Sequence, residues 1–243
     1  MPAKEYIVPG MKITGHGLWL EKEKILIVSD FHLGMEESLN RQGVMIPRIN
    51  YRKIKIILQE MLNETGKPEK IIINGDFKHE FGAITSQEWD EGPGMLQFLK
   101  ENSGETILIR GNHDLMLGPV AKWTGIRTEQ QFYLPERKLL ICHGDIIPET
   151  QEYSEAEKII IGNEHPAVRL REKQSAETYK CFLRGKFNGK TLVVMPSMNQ
   201  ITKGTDILSG KMISPFLQQE LGEFDCWLIE DTSYYFGKVR ELQ

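Results

Sequence analysis

Five of the six histidines lie in short polar motifs: Asp30-Phe31-His32, Gly75-Asp76-Phe77-Lys78-His79, Gly111-Asn112-His113-Asp114, Cys142-His143-Gly144-Asp145 and Gly162-Asn163-Glu164-His165. Each motif stands where an apolar run of strand character ends. Carboxylates, an amide and imidazoles are oxygen and nitrogen donors suited to divalent cations. A structural protein has no reason to distribute histidines in this way. A centre that holds two cations and activates water does, because it must gather donors from several strand ends around one small volume.

Asp30 and His32 are two apart. Extended backbone would send both side chains to one side, where they could grip one cation together. Gly75-Asp76 follows Ile71-Ile72-Ile73-Asn74, so Asp76 is expected at the carboxyl edge of a sheet, where α/β proteins bind ligands. Its two oxygens could bridge two cations; the plainer reading is a turn aspartate satisfying backbone amides. Asn112 offers a neutral amide oxygen. His113, beside it, stands where a general acid would protonate a leaving alkoxide. Asp114 either orients that imidazole or caps a following helix. His143 and His165 are further ligand candidates, each at a strand end near glycine.

The elements that must position these residues can be read from the same chain. Lys24–Ser29, Ile71–Ile73, Thr106–Ile109 and Leu139–Ile141 are short, continuous apolar runs and predict buried strands. Ile54, Ile57, Leu58, Met61 and Leu62 form a helical stripe; Pro47 suits its first turn, and Gly66 with Pro68 stop it. Thr85 and Glu88 have capping-box spacing, and Gly92-Pro93-Gly94 should break the helix they open before Met95–Lys100 resume it. Glu36 and Glu37 are expected in a helical first turn, where the macrodipole favours them. From Tyr133 the pattern becomes strand-rich: Lys158–Ile161, Thr178–Leu183, Thr191–Val194, Cys226–Ile229 and Tyr234–Val239. The fold class expected is α/β, with two packed mixed β-sheets flanked by helices, and residues 1–243 forming one domain.

The 243 residues carry a net charge of −4, which gives no global case for nucleic-acid binding. Local basic runs, Arg48-Arg52-Lys53-Lys55 and Lys180-Arg184-Lys186-Lys190, read as solvated faces and leave nucleic acid open as a partner. Three cysteines make no disulfide framework, and a reducing cytoplasm suits them. Cys142, Cys181 and Cys226 read as core residues. The N-terminus lacks the apolar stretch of a signal peptide, and no run approaches a membrane span. Oligomeric state cannot be read.

The motif series resembles the calcineurin-like metallophosphoesterase superfamily, whose pattern runs D-x-H, G-D-x-x, G-N-H-D/E, H and G-H-x-H. Within it the likeness is to the archaeal SbcD-related and DNA-ligase-associated phosphoesterases, on Asp30 to Gly34, Gly75 to Gly82, Arg110 to Asp114 and His165 to Val168. That resemblance implies a first metal held by Asp30, His32, Asp76 and His165, and a second held by Asp76, Asn112 and His143. It implies His113 as general acid, a bridging hydroxide attacking phosphorus, and manganese as the metal, although iron or zinc also suits these donors. His79 stands where SbcD-like nucleases can carry histidine, so it either contacts a phosphodiester or stabilises its turn. Asn163 replaces a histidine of G-H-x-H, which implies a weaker second site. Two cations outweigh Asp30, Asp76 and a hydroxide, leaving a positive site for an anionic phosphate ester. A phosphodiester is the expected substrate; a small phosphomonoester, or a scaffold that binds a DNA-repair partner, are the alternatives.

Overall fold

The computed structural model describes residues 5–82, 84–114, 125–172 and 175–242. Seven strands form the first sheet in sequential order: β1 (Tyr6–Val8), β2 (Met11–Thr14), β3 (Gly17–Leu20), β4 (Ile25–Val28), β5 (Lys70–Asn74), β6 (Glu105–Ile109) and β7 (Arg127–Glu129). The first four form an antiparallel meander, and β4 to β7 run parallel. The crossovers carry α2 (Asn50–Thr65) and α3 (Ser86–Glu101), with short α1 (Met35–Arg41) leading into α2.

The second sheet contains β8 (Gln131–Leu134), β9 (Leu139–Cys142), β10 (Lys158–Ile161), β11 (Pro166–Glu172), β12 (Ser175–Phe187), β13 (Lys190–Val194), β14 (Thr205–Asp206), β15 (Asp225–Ile229) and β16 (Ser233–Lys238). Its central trio, β9, β10 and β13, is parallel. The long β12 pairs antiparallel with β11, β13 and β15. A short helix, α4 (Gln151–Glu155), links β9 to β10.

Three apolar layers hold the sheets. Between them pack Ile27, Ile72 and Ile107 from one side and Ile141, Ile160, Phe182 and Trp227 from the other. On the outer face of the first sheet, Leu26, Ile71 and Leu108 meet Ile54 and Leu58 of α2 and Leu96 and Leu99 of α3. The outer face of the second sheet is covered among the described residues by α4 and by 3-10 turns carrying Ile207, Phe216 and Leu217. The two-sheet α/β architecture is therefore as expected, with the long helices among the described residues, α2 and α3, on the outer face of the first sheet.

Three local expectations are corrected. The helix over Gly92-Pro93-Gly94 does not break: α3 is continuous through Pro93, because its buried face of Met95, Leu96 and Leu99 is held in the core. Pro47 lies outside α2, whose first turn is capped instead by Glu36; its Oε1 accepts from the Ile49 and Asn50 amides at 2.9 and 2.7 Å. Glu36 and Glu37 do lie in the first turn of α1, as expected, and Glu36 is in addition fully buried as the cap of α2. Lys180 is not on a solvated face: its buried ammonium donates to the carbonyls of Ser197, at 2.7 Å, and Asn199. The capping box of Thr85 and Glu88 forms as expected, and the three cysteines are buried and free.

Candidate metal centre

The polar motifs sit in the loops just beyond β4, β5, β6, β9 and β10. The residues after β4 run alongside those after β5: the amides of Asp30, His32 and Leu33 donate to the carbonyls of Gly75, Asp76 and Phe77 at 3.1, 2.9 and 3.0 Å. The expected extended backbone at Asp30 and His32 is not found. Both are left-handed, with φ of 56° and 46°, as are Asp76, Asn163 and His165. Left-handed backbone costs a non-glycine residue about 1–3 kcal/mol, and it persists where surrounding structure over-determines it. Five of the eight such positions among the described residues gather at this one place. Asp30 and His32 still face the same centre, through backbone strain rather than strand alternation.

The site is crowded enough to dictate glycine. A Cβ on Gly75 would lie 2.0 Å from His143 Nδ1, and one on Gly111 would lie 2.2 Å from Asp76 Oδ1. Those glycines leave room for the donors themselves.

Asp30, His32 and His165 form one cluster of potential ligand atoms, and Asp30, Asp76 and His143 another. In the first, His165 Nε2 stands 3.1 Å from His32 Nε2 and 3.5 Å from Asp30 Oδ1. In the second, His143 Nε2 is 3.2 Å from Asn112 Oδ1 and 3.4 Å from Asp76 Oδ1. Asp76 faces both: its Oδ2 lies 3.6 Å from His32 Nε2. Two ring nitrogens 3.1 Å apart beside two carboxylates present converging lone pairs, and a divalent cation satisfies such a set. The residues present therefore fit the divalent cations that Asp, Asn and His donors accept.

Electrostatics follow the same geometry. Burial pushes His32 well below the usual imidazole range, and nearby His165 adds to this. For His143, burial works against the proton but is outweighed by Asp76, Asp30 and Asp145, which raise it to about 10. Burial would raise Asp76, yet its surrounding imidazoles, His143 foremost, hold it below the ordinary carboxylate range. Positive charge is thus favoured between these side chains, as a proton or as a metal.

His113 lies at the rim. Its amide donates to Asp76 Oδ1 at 3.0 Å, its Nε2 is 3.8 Å from Asp76 Oδ2, and its Nδ1 meets the His79 carbonyl. A carbonyl only accepts, so Nδ1 carries a proton and Nε2 is the nitrogen turned toward the carboxylate. The half-exposed ring of Phe81 packs on this imidazole at 3.6 Å between centroids. The expectation for Asp114 meets a different arrangement. Its buried carboxylate accepts from the amides of Gly111, Phe77 and Lys78 at 3.0, 3.1 and 3.3 Å, tying two motif loops together. The His79 carbonyl orients the imidazole in its place. The alternative, that Asp114 caps a following helix, falls on 115–124, which lie outside the described residues. Burial, reinforced by Asp76, raises Asp114 to about 7. His79 reaches the edge of the cluster, with Nδ1 3.4 Å from His32 Nδ1, and its amide is held by Glu88 at 3.0 Å. Asn163 comes to the site through its backbone, donating to Asp30 Oδ1 and Oδ2 at 3.3 and 3.2 Å.

Several supporting residues carry no motif signal. The Ser29 hydroxyl lies 2.6 Å from Asp30 Oδ2 and 2.8 Å from the Asn74 carbonyl. Beyond β13, the Ser197 hydroxyl and the Asn199 amide donate to the Asp30 carbonyl at 2.8 and 3.2 Å. Ser29 could have been noticed as the neighbour of Asp30. Ser197 and Asn199 could not, because neither residue type nor spacing marks them.

A family model described as calcineurin-like phosphoesterase matches residues 23–218. The chain belongs to that family. The match covers the five motifs, the parallel strands β4 to β7 and the parallel trio β9, β10 and β13. Among solved structures, this phosphoesterase is similar to the nuclease MPE of Pseudomonas putida, at 19% identity over 90% of this chain and 91% of that one, with a TM-score of 0.63. That likeness supports the fold. It is also similar to Entamoeba histolytica Vps29 complexed with zinc, at 16% identity, 87% and 91% coverage and TM-score 0.37. A Streptococcus pneumoniae protein described as a predicted phosphoesterase aligns at 14% identity, 88% and 97% coverage and TM-score 0.34. No curated protein matches the sequence. Among the described residues no helix is long and apolar enough to cross a membrane.

Proposed function

We propose that this phosphoesterase hydrolyses phosphodiesters with a pair of divalent cations, manganese by preference, and that residues 1–243 act as one domain. The observation that carries the reading is the double orientation of Asp76, with Oδ2 toward His32 at 3.6 Å and Oδ1 toward His143 at 3.4 Å. Asp30, His32, Asp76 and His165 would hold one cation, and Asp76, Asn112 and His143 the other. Cations so placed supply Lewis acidity and make hydroxide available near neutral pH. The phosphorus–oxygen bond to one ester arm breaks, water contributes the new oxygen, and the departing alkoxide takes a proton from His113 Nε2. The His79 carbonyl holds the first proton on Nδ1, so Nε2 gives up its own from the doubly protonated ring and keeps the Nδ1 proton afterwards. Asp114 holds the two loops in register without touching the reacting atoms.

The diester preference draws support from His79 at the rim, which could meet a phosphodiester oxygen, and from the nuclease that shares this fold. The same two facts agree with an SbcD-related or ligase-associated branch, and with nucleic acid as a substrate. Asn163, which meets Asp30 through its backbone amide, leaves the second site without the imidazole of the family pattern and so the weaker one; Asn163→His should tighten the second equivalent in a calorimetric titration. The deciding assay compares bis-p-nitrophenyl phosphate with p-nitrophenyl phosphate, with manganese and again after chelation. Faster turnover of the diester, lost on chelation and restored by metal, is expected. Preference for the monoester would refute the substrate class, and no turnover with metal bound would leave a scaffold.

A further inference from the structure

A cavity of about 610 Å³ opens beside the candidate metal centre, with Asn112 and His143 forming part of its wall. Volumes of this size accommodate small organic ligands. Because those two residues face the proposed second cation, a phosphorus bound there would direct one of its ester arms into this space.

The lining tells what that arm can be. One wall is apolar, formed by Ile146 and Pro148. Ile146 is 67% exposed, so this wall offers apolar surface for an uncharged group to cover. The charges are unbalanced: among the described lining residues, Asp145, Glu149 and Glu152 stand against Arg110 alone. A chain of further phosphates entering here would meet three carboxylates, whereas an uncharged organic group would cover the exposed isoleucine.

We propose that this cavity receives one ester arm of the substrate and selects an uncharged group of nucleoside size over a continuing phosphate chain. The proposal rests on the phosphodiesterase reading above and deepens it: the substrate is a small diester or a chain end, not the interior of a long polynucleotide.

The test uses the full chain loaded with manganese and three p-nitrophenyl diesters: the methyl ester, the thymidine 5′-ester and the thymidine 5′-ester carrying a 3′-phosphate. The thymidine ester should exceed the methyl ester about tenfold in kcat/KM, and the added 3′-phosphate should erase that gain. Ile146→Asp should bring the thymidine ester down to the level of the methyl ester while leaving the methyl ester unchanged. Glu149→Lys should rescue the 3′-phosphorylated ester alone, with a gain that salt removes. Preference for the 3′-phosphorylated ester in the unaltered protein would overturn the proposal, as would equal losses on all three esters in Ile146→Asp. Binding separates this failure from failure of the catalytic reading. Thymidine 5′-monophosphate should bind the manganese form about tenfold more tightly than methyl phosphate, a difference of about 1.4 kcal/mol, whether or not any ester turns over. Equal affinities would refute the cavity assignment by themselves.

Discussion

The two sheets build the site in the same way from different materials. In the first, β4, β5 and β6 run parallel, and their carboxyl ends deliver Asp30, His32, Asp76, Asn112 and His113. In the second, β9, β10 and β13 run parallel, and theirs deliver His143, His165 and the supporting Ser197. The first trio is connected by helical crossovers that cover its outer face, whereas the second is joined by a five-residue helix and a long antiparallel excursion through β11 and β12. What the trios share is the edge at which parallel strands end together. The antiparallel extensions β1 to β3, β15 and β16 add core and place no candidate ligand. Parallel order thus collects the donors, and each sheet makes its own contribution. The first supplies the carboxylates and the amide, and the second supplies two imidazoles and most of the support.

That division can be broken at its centre. Asp76→Asn, which alters the carboxylate whose two oxygens face His32 and His143, should reduce hydrolysis to background and abolish binding of the second metal equivalent; measured activity close to the unaltered protein would show that Asp76 joins nothing. His113→Ala on the same sheet should lower kcat by about 10²–10⁴ while metal content stays intact, because general acid catalysis is removed without a ligand. Retained turnover on an alkyl ester would take His113 out of the proton transfer.

The second sheet is probed more gently. Ser197→Ala deletes a hydroxyl that donates to the Asp30 carbonyl, and should weaken metal affinity about 10–100-fold, as loss of groups behind ligands generally does. An unchanged titration would mean that β13 contributes only core. The smallest effect expected concerns stability. Burial lowers Lys180 to about 7 from 10.5, so the unfolded chain holds a proton there that the folded chain gives up. Stability from this group is therefore present above pH 10.5 and is lost as pH falls toward 7. The denaturant midpoint of the metal-free protein should rise with pH across that window, and Lys180→Met should flatten the rise.

The parallel trios were readable because each is a continuous apolar run followed at once by glycine and a polar motif, as in Ile71–Ile73 before Gly75-Asp76. The candidate donors could be named from the same motifs, because Asp, Asn and His recur there, and the structure brings Asp30, His32, Asp76, Asn112, His143 and His165 together. The conformations were not. Strand alternation placed Asp30 and His32 on one side for a reason that does not apply, since a left-handed turn does it and only long-range packing imposes that turn. Pro93 could not be reconciled with a helix from local preference alone, because the face holding α3 in place is buried against residues far away in the chain. Lys180 looked like one more surface cation until the loop of Ser197 and Asn199 closed over it. Asp114 was assigned to an imidazole by proximity in sequence, whereas three backbone amides from two loops claim its carboxylate.

The most direct measurement is a manganese titration followed by electron paramagnetic resonance on the unaltered protein and on Asp76→Asn. Two equivalents per chain with a spin-coupled signal, lost in the variant, are predicted, because one carboxylate is held to face both clusters. Two ions without magnetic coupling, or a single equivalent unaffected by the substitution, would contradict the account.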